Sequence, residues 1–316
     1  MKVVVTDYTF PDLEIERGIL EPLGLEFVAS QCRTPAELAA LAGDADFVIT
    51  QFAPMNREVI AALRNARIIV RYGIGVDNVD LAAARERNIP VCNVPEFCIH
   101  EVADHTLSFI LALTRQVVPH CLHLRAGNWG LATTLAGFRT LRDQTVGVVG
   151  FGRIGRAVAS RLLAFQCRVL VSDPIATAES VRAAGCELAS LPELLAQSDI
   201  VTLHCPSTPQ TRQLINAQAL KQMKPQALLI NLSRGSVVDS GALIAALQEG
   251  RLAGAALDVF DPEPIPSDSP ILKMDNVILA PHVASASQRA VRVLRESAAE
   301  LVARCFRGEP LESVVN

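Results

Sequence analysis

Residues 145–165, TVGVVGFGRIGRAVASRLLAF, constrain the fold more than any other stretch of the chain. An apolar, β-branched run ends at Gly150, Gly152 and Gly155 follow in the spacing GxGxxG, and a helical pattern begins at once. The next apolar run, RVLVSD, ends in Asp173, about 20 residues on, which is the spacing of a dinucleotide-binding βαβ unit. In such a unit Gly150 permits the tight turn. Gly152 lets backbone amides approach a pyrophosphate at the helix N-terminus, and Gly155 lets helix and strand pack closely. Asp173 is placed to accept hydrogen bonds from the adenosine ribose, and its charge repels a 2′-phosphate, so NAD is favoured over NADP.

The rest of the chain repeats the same alternation. KVVVT, LEFVA, DFVIT, RIIV and IPVCN are separated by helical segments at 13–22, 35–42, 56–63 and 80–88. After the glycine motif, RVLVSD, DIVTLHC, ALLINLS, AGAALDV and VILAP are separated by further helices, one from Ser190 with Glu193 in capping-box spacing and one from about 240 closed by Gly250. This predicts an α/β fold of two parallel-sheet, Rossmann-like or flavodoxin-like domains. Between them, residues 99–125 read as one long helix, apolar on more than one face, with Pro119 as the expected kink. The last helix, about 285–306, has no strand after it and is free to return to the first sheet, so the second domain is expected to be inserted into the first.

Half of the residues are hydrophobic and 20% are charged, enough for a sizeable core. The net charge of −4 comes without long like-charge runs, which leaves no electrostatic footprint for nucleic acid or a membrane surface and favours a small-molecule partner. The eight cysteines include no CxxC pair, and the valine run near the N-terminus stops at Asp7, too short for a signal peptide. A reduced, cytoplasmic setting is expected.

A dinucleotide implies hydride transfer, which needs an acid for the carbonyl oxygen and a clamp for an anionic substrate. Three segments at strand ends qualify: NLSRG with Arg234, DVFDPEP with Asp258 and Glu263, and APHVAS with His282. Singly, an arginine in a loop is a solvated brace, a proline-flanked glutamate a turn residue, and a lone histidine a structural one. Together, after a nucleotide-binding fold, they form an arginine, carboxylate and imidazole set suited to reducing a 2-oxo acid.

These segments also carry a resemblance. RYGIGVDNVD (71–80), GFGRIG with Asp173, HCPSTPQTRQLIN (204–216), INLSRGSVVD (230–239), LDVFDPEP (257–264) and APHVAS, in this order and over nearly the whole chain, resemble the D-isomer-specific 2-hydroxyacid dehydrogenase family. The resemblance implies a substrate-binding domain from 1–98 and 285–316, an inserted NAD-binding domain from 99–284, catalysis between them and a homodimer formed with help from the helix near 99–125. It implies that Arg234 binds the substrate carboxylate and carbonyl oxygen, that His282 protonates that oxygen, and that Glu263 orients His282 and favours its charged form. The backbone amides around Ile74 and Gly75 would complete the carboxylate site. Arg153 and Ile154 would meet the pyrophosphate, Cys205, Pro206 and Thr211 the adenosine side, and Leu232 and Asp258 the nicotinamide side.

No metal is expected, because His100, His105, His120 and His123 lack an accompanying acidic or thiolate set. Trp129, the only tryptophan, is either core or interface. Two alternatives stay open: an NAD-sensing binding protein of the C-terminal binding protein type, which shares RYGIGVDNVD, and phosphoglycerate dehydrogenase, for which Arg71 would supply charge although Gln51 and Phe52 offer none. Formate dehydrogenases place glutamine where Glu263 stands.

Overall fold

The computed structural model describes all of residues 1–316. It forms two compact units, one from Met1–Cys98 with Ala286–Asn316, the other from Ile99–Ser285, so the second interrupts the first in the chain.

The first unit has five strands, β1 (Lys2–Val5), β2 (Glu26–Ala29), β3 (Phe47–Thr50), β4 (Ile68–Arg71) and β5 (Val91–Cys92), all parallel, in the order β2-β1-β3-β4-β5. That is the flavodoxin-like order, reversing beside β1. Helices α1 (Glu14–Leu20), α2 (Pro35–Ala42), α3 (Arg57–Ala62) and α4 (Leu81–Glu86) connect the strands. Buried on both faces, β3 reads as continuously apolar up to Thr50, as parallel strands do.

In the second unit the chain runs through α5 (Ile99–Thr114), α6 (Val117–Arg125), β6 (Thr145–Val149), α7 (Arg153–Ala164), β7 (Arg168–Ser172), α8 (Ala178–Ala183), β8 (Glu187–Leu188) and α9 (Leu191–Gln197). It continues through β9 (Ile200–Leu203), α10 (Ala217–Gln222), β10 (Ala227–Asn231), α11 (Ser240–Gln248), β11 (Leu252–Leu257) and β12 (Val277–Leu279). The parallel sheet has the order β12-β11-β10-β9-β6-β7-β8 and reverses between β6 and β9, the doubly wound arrangement whose ligands bind beyond the strand ends at the reversal. Its core includes Val149, Leu194, Val201, Leu203, Leu229 and Ala255. The expected capping box is present: Ser190 accepts from the Glu193 amide, and the Glu193 carboxylate accepts from Ser190.

The chain returns to the first unit as α12 (Gln288–Arg307), which packs on α1 and β4, and the last residues add a backbone hydrogen bond from Val315 to Val91 at 2.9 Å.

Residues 99–125 differ from the single kinked helix expected. They form two helices, and the break falls at Gln116, which is left-handed at φ 55°, ψ 38°, rather than at Pro119. Pro119 is the third residue of α6, inside the first turn, where a missing amide removes no helical hydrogen bond. Its apolar face is also only partly answered within the chain: α5 packs on α7, β10 and β11, whereas Val117, Leu122 and Leu124 on α6 and Trp129, Leu131 and Leu135 after it are exposed.

Candidate active site

The carboxyl end of β6 builds the first part of the site. Gly150 is left-handed at φ 92°, and a Cβ there would press against the backbone of His204 and Cys205. At Gly155 a Cβ would overlap the Gly150 carbonyl, so helix α7 lies hard against the turn. Gly152 is different, because a Cβ there would meet nothing within 4 Å. Internal packing therefore does not require glycine at 152, and the space beside it leaves room for a ligand to approach the backbone. Gly152 is the N-cap of α7, no side chain caps it, and Arg153, Ile154 and Gly155 form the first turn, so the helix presents its positive end at the sheet's reversal point. These residues fit a dinucleotide pyrophosphate.

Asp173, one residue beyond β7, ties this loop together. One carboxylate oxygen accepts the Phe151 amide at 2.7 Å, and the other accepts those of Ile175 and Ala176 at 2.8 and 3.0 Å. Burial alone would raise its pKa, but these three amides and the charge of Arg156 hold it below the usual carboxylate range. It stays ionised, with lone pairs left for a ribose hydroxyl. Cys205 is buried after β9 and its thiol is pushed up to about 11 by that burial, which keeps it protonated. In the following loop Thr211 donates to the Pro206 carbonyl at 2.6 Å and accepts from the Thr208 amide at 2.8 Å.

At the ends of β10 and β11 the second part assembles. Leu232 is buried, and Asn231 beside it anchors the turn that follows: its amide donates to the Arg234 carbonyl at 2.9 Å, and its oxygen accepts from the Ser233 amide and hydroxyl. The Arg234 guanidinium is steadied by the Ser233 carbonyl at 2.8 Å. Next to it, Gly235 packs so closely on the backbone of Phe260 and Asp261 that a Cβ would overlap both. The segment carrying Arg234 and the segment carrying Glu263 are thereby locked to each other.

Glu263 and His282 meet directly, with Glu263 Oε2 2.7 Å from His282 Nδ1. The other carboxylate oxygen accepts the Phe260 amide at 2.8 Å. Burial works to raise the Glu263 carboxyl, but the hydrogen bonds from His282 and Phe260, with the nearby charges of His282 and Arg234, hold it below its ordinary value. With an ionised carboxylate as its partner, Nδ1 is the donor in this contact, which fixes the orientation of the ring.

The backbone behind His282 shows a role for Asp258 that the residue pattern alone does not reveal. His282 is left-handed at φ 54°, an uncommon conformation for a non-glycine residue, and its amide donates to the Asp258 carbonyl at 2.8 Å. The Asp258 carboxylate then accepts the amides of Val283 and Ala284 at 2.8 and 2.9 Å, with the residue 1% exposed. Asp258 holds the turn in the shape that aims the imidazole. Its burial raises its pKa despite those two amides.

Residues 107–284 match the NAD binding domain of the D-isomer specific 2-hydroxyacid dehydrogenases. The chain belongs to that family. It is an NAD-dependent dehydrogenase that acts between 2-oxo and 2-hydroxy acids. Among its relatives, a glyoxylate reductase of Korarchaeum cryptofilum is 41% identical over 266 residues, 83% of this chain and 80% of that protein. A D-3-phosphoglycerate dehydrogenase of Methanocaldococcus jannaschii is 37% identical over 318 residues, and this chain spans only 59% of its length. The structure of a D-lactate dehydrogenase from Aquifex aeolicus, complexed with NAD and lactic acid, superposes with a TM-score of 0.88 at 29% identity, covering 97% of this chain and 96% of that one.

Within the first unit the family motif RYGIGVDNVD forms the turn from β4 towards α4. Gly73 takes φ 142° and its carbonyl accepts the Val94 amide at 3.0 Å, while the Ile74 carbonyl accepts from the Asn93 side chain at 2.6 Å. The backbone amides of Ile74 and Gly75 enter no backbone hydrogen bond of the chain, so the turn presents donors and ties back acceptors. Asn93 and Asn231, both buried and both fixing a functional turn, are residues that sequence reasoning missed; each follows a strand or ends one, which is the signal that was available.

Proposed function

We propose that this dehydrogenase reduces a small 2-oxo acid to the D-2-hydroxy acid, with Arg234, Glu263 and His282 as its catalytic set. Bound NADH supplies the hydride that C2 of the substrate receives. The Arg234 guanidinium binds the carboxylate and the carbonyl oxygen. His282 gives that oxygen its proton from Nε2, and Glu263 holds Nδ1 and stabilises the imidazolium between turnovers. In oxidation the neutral imidazole takes the proton back. The amides of Ile74 and Gly75 receive the substrate carboxylate, and the unit from Met1–Cys98 and Ala286–Asn316 is the substrate-binding domain. In the unit from Ile99–Ser285, Gly150, Gly152, Arg153, Ile154 and Gly155 hold the pyrophosphate. Asp173, Cys205, Pro206 and Thr211 border the adenosine, and Leu232 and Asp258 border the nicotinamide. The observation that carries this reading is the 2.7 Å contact of Glu263 with His282, which makes an acid and base pair of what could be two unrelated loop residues.

The protein acts as a homodimer in the cytoplasm. Supporting the dimer are the exposed apolar side chains of α6 and the loop after it, among them Leu122, Leu124, Trp129 and Leu135. Their concentration in one chain segment is unusual for a free surface. Eight free cysteines, seven of them buried, suit a reducing compartment. No helix is long and apolar enough to cross a membrane.

Loss of NADH absorbance with a panel of glyoxylate, pyruvate, hydroxypyruvate and 3-phosphohydroxypyruvate tests the reading. Turnover of the unphosphorylated acids is expected. A protein that binds NADH and turns over none of them is a NAD-sensing binding protein instead, and one confined to the phosphorylated acid is a phosphoglycerate dehydrogenase.

A further inference from the structure

The first unit contains a buried ionic cluster that the reaction does not use. Glu16 on α1 is 0% exposed and Arg295 on α12 is 5% exposed. Arg295 Nε donates to Glu16 Oε1 at 2.9 Å and Nη2 donates to Oε2 at 2.7 Å. The same Nη2 reaches the carbonyl and carboxylate of Asp12 at 2.8 and 2.9 Å. On its other side Glu16 Oε1 accepts the hydroxyl of Tyr72 at 2.9 Å. Phe10 meets the Tyr72 ring edge-on at 5.2 Å and lies under the Arg295 guanidinium at 5.1 Å.

Stability is a poor reason for such a cluster. Desolvating a buried ion pair largely cancels its attraction, and apolar residues of the same volume serve a core as well or better. Direction is what the cluster does supply, because a hydroxyl bound to a carboxylate that is itself gripped by a guanidinium fork has one orientation. Tyr72 immediately precedes Gly73, and its amide is fixed by the Thr50 carbonyl at 2.8 Å. The Gly73 and Ile74 carbonyls are held by Val94 and Asn93 on the far side of the turn. The turn is therefore pinned from Tyr72 to the Ile74 carbonyl, with the Ile74 amide inside the pinned stretch and the Gly75 amide in the same peptide as the last pinned carbonyl.

We propose that Tyr72, Glu16 and Arg295 are positioning residues that fix the Gly73–Gly75 turn and so set affinity for the substrate carboxylate without touching it. The proposal rests on the reading that the Ile74 and Gly75 amides receive that carboxylate. Burial, reinforced by the charge of Glu16, raises the Tyr72 hydroxyl well above its ordinary value, so it remains a donor over the working pH range.

Two variants test it. Tyr72→Phe keeps the ring and removes only the hydroxyl, while the double variant Glu16→Leu with Arg295→Met replaces the ion pair by apolar volume. For each, KM and kcat with glyoxylate at saturating NADH, NADH affinity by fluorescence and the melting temperature are measured. The expected result for Tyr72→Phe is a KM raised about tenfold, the equivalent of about 1.4 kcal/mol, with NADH affinity within about twofold of the parent. The double variant is expected to raise KM at least as much; it leaves the buried Tyr72 hydroxyl unpaired and so melts lower, and NADH affinity held within about twofold of the parent is the readout that a general structural loss would not preserve. A parent KM in Tyr72→Phe overturns the proposal, and that variant alone decides if the double variant does not fold. If the parent itself turns over no 2-oxo acid, the proposed function fails first, a result visible before either variant is made.

Discussion

Replacing Glu263 by Gln preserves the shape beside His282 and removes one negative charge. The two side chains are 33% and 35% exposed for His282 and Glu263 respectively, and their contact is 2.7 Å. Unit charges about 4 Å apart attract by about 4 kcal/mol at an effective dielectric near 20 and by about 1 kcal/mol in water. Partial exposure places this pair between those limits, at about 1.5–2.5 kcal/mol. The direction follows from the chemistry. Reduction needs the protonated imidazole, and the Glu263 carboxyl, held below its ordinary value, is ionised throughout the working range. Without that charge the imidazolium that gives up the proton is less favoured, so kcat/KM for reduction should fall by roughly 10- to 70-fold, the equivalent of about 1.5–2.5 kcal/mol. Oxidation passes through the same imidazolium and should fall with it. The assay is a pH profile of kcat/KM in both directions, with 4-deuterated NADH used to confirm that hydride transfer limits the rate. A Glu263→Gln profile that overlays the parent, with a full isotope effect in both, would refute the electrostatic role of Glu263.

Other expectations follow from the same geometry. Arg234→Ala should lower kcat/KM by at least about 2–3 kcal/mol, or roughly 30- to 150-fold, and leave NADH affinity nearly unchanged, as paired kinetics and fluorescence titration will show. A parallel fall in melting temperature and NADH affinity would make Arg234 a loop brace. The parent should prefer NADH to NADPH widely in kcat/KM. Asp173→Ser should narrow the preference and also weaken NADH itself, because Asp173 anchors the amides of Phe151, Ile175 and Ala176. Gly235→Ala, whose methyl would overlap the Phe260 backbone, should destabilise by about 1–3 kcal/mol in denaturant unfolding and reduce turnover together, since it pushes the Arg234 and Glu263 segments apart.

The elements that follow local rules are legible in the sequence alone. Parallel strands buried on both faces leave continuous apolar runs, and the glycine loop with Asp173 has a spacing that few other structures require. Two parallel-sheet domains were legible from two series of apolar runs alternating with helical segments. Residues 99–125 were misread at one point for a definite reason. Proline is read as a breaker by default, yet in the first turn of α6 it breaks nothing, and the real interruption at Gln116 depends on a left-handed conformation that glutamine does not advertise. The two-residue β8 was invisible because Glu187–Leu188 is exposed and lacks the apolar run that marks the equally short, buried β5. In the site, Glu263 and His282 could be joined only through the family resemblance, since 19 residues of chain separate them and the fold sets their distance. The part played by Asp258 was out of reach altogether: its carboxylate serves two amides in a turn whose shape exists only once His282 has adopted its positive φ.

In the proposed reaction hydride reaches C2 of a 2-oxo acid on the face that yields the D product while His282 supplies the proton. Chiral analysis of the product from 4-deuterated NADH and pyruvate, with His282→Gln run in parallel, tests it in one measurement. The parent should give D-lactate carrying deuterium at C2, and the variant almost none. L-lactate, a racemate, or an undiminished yield from His282→Gln would contradict it.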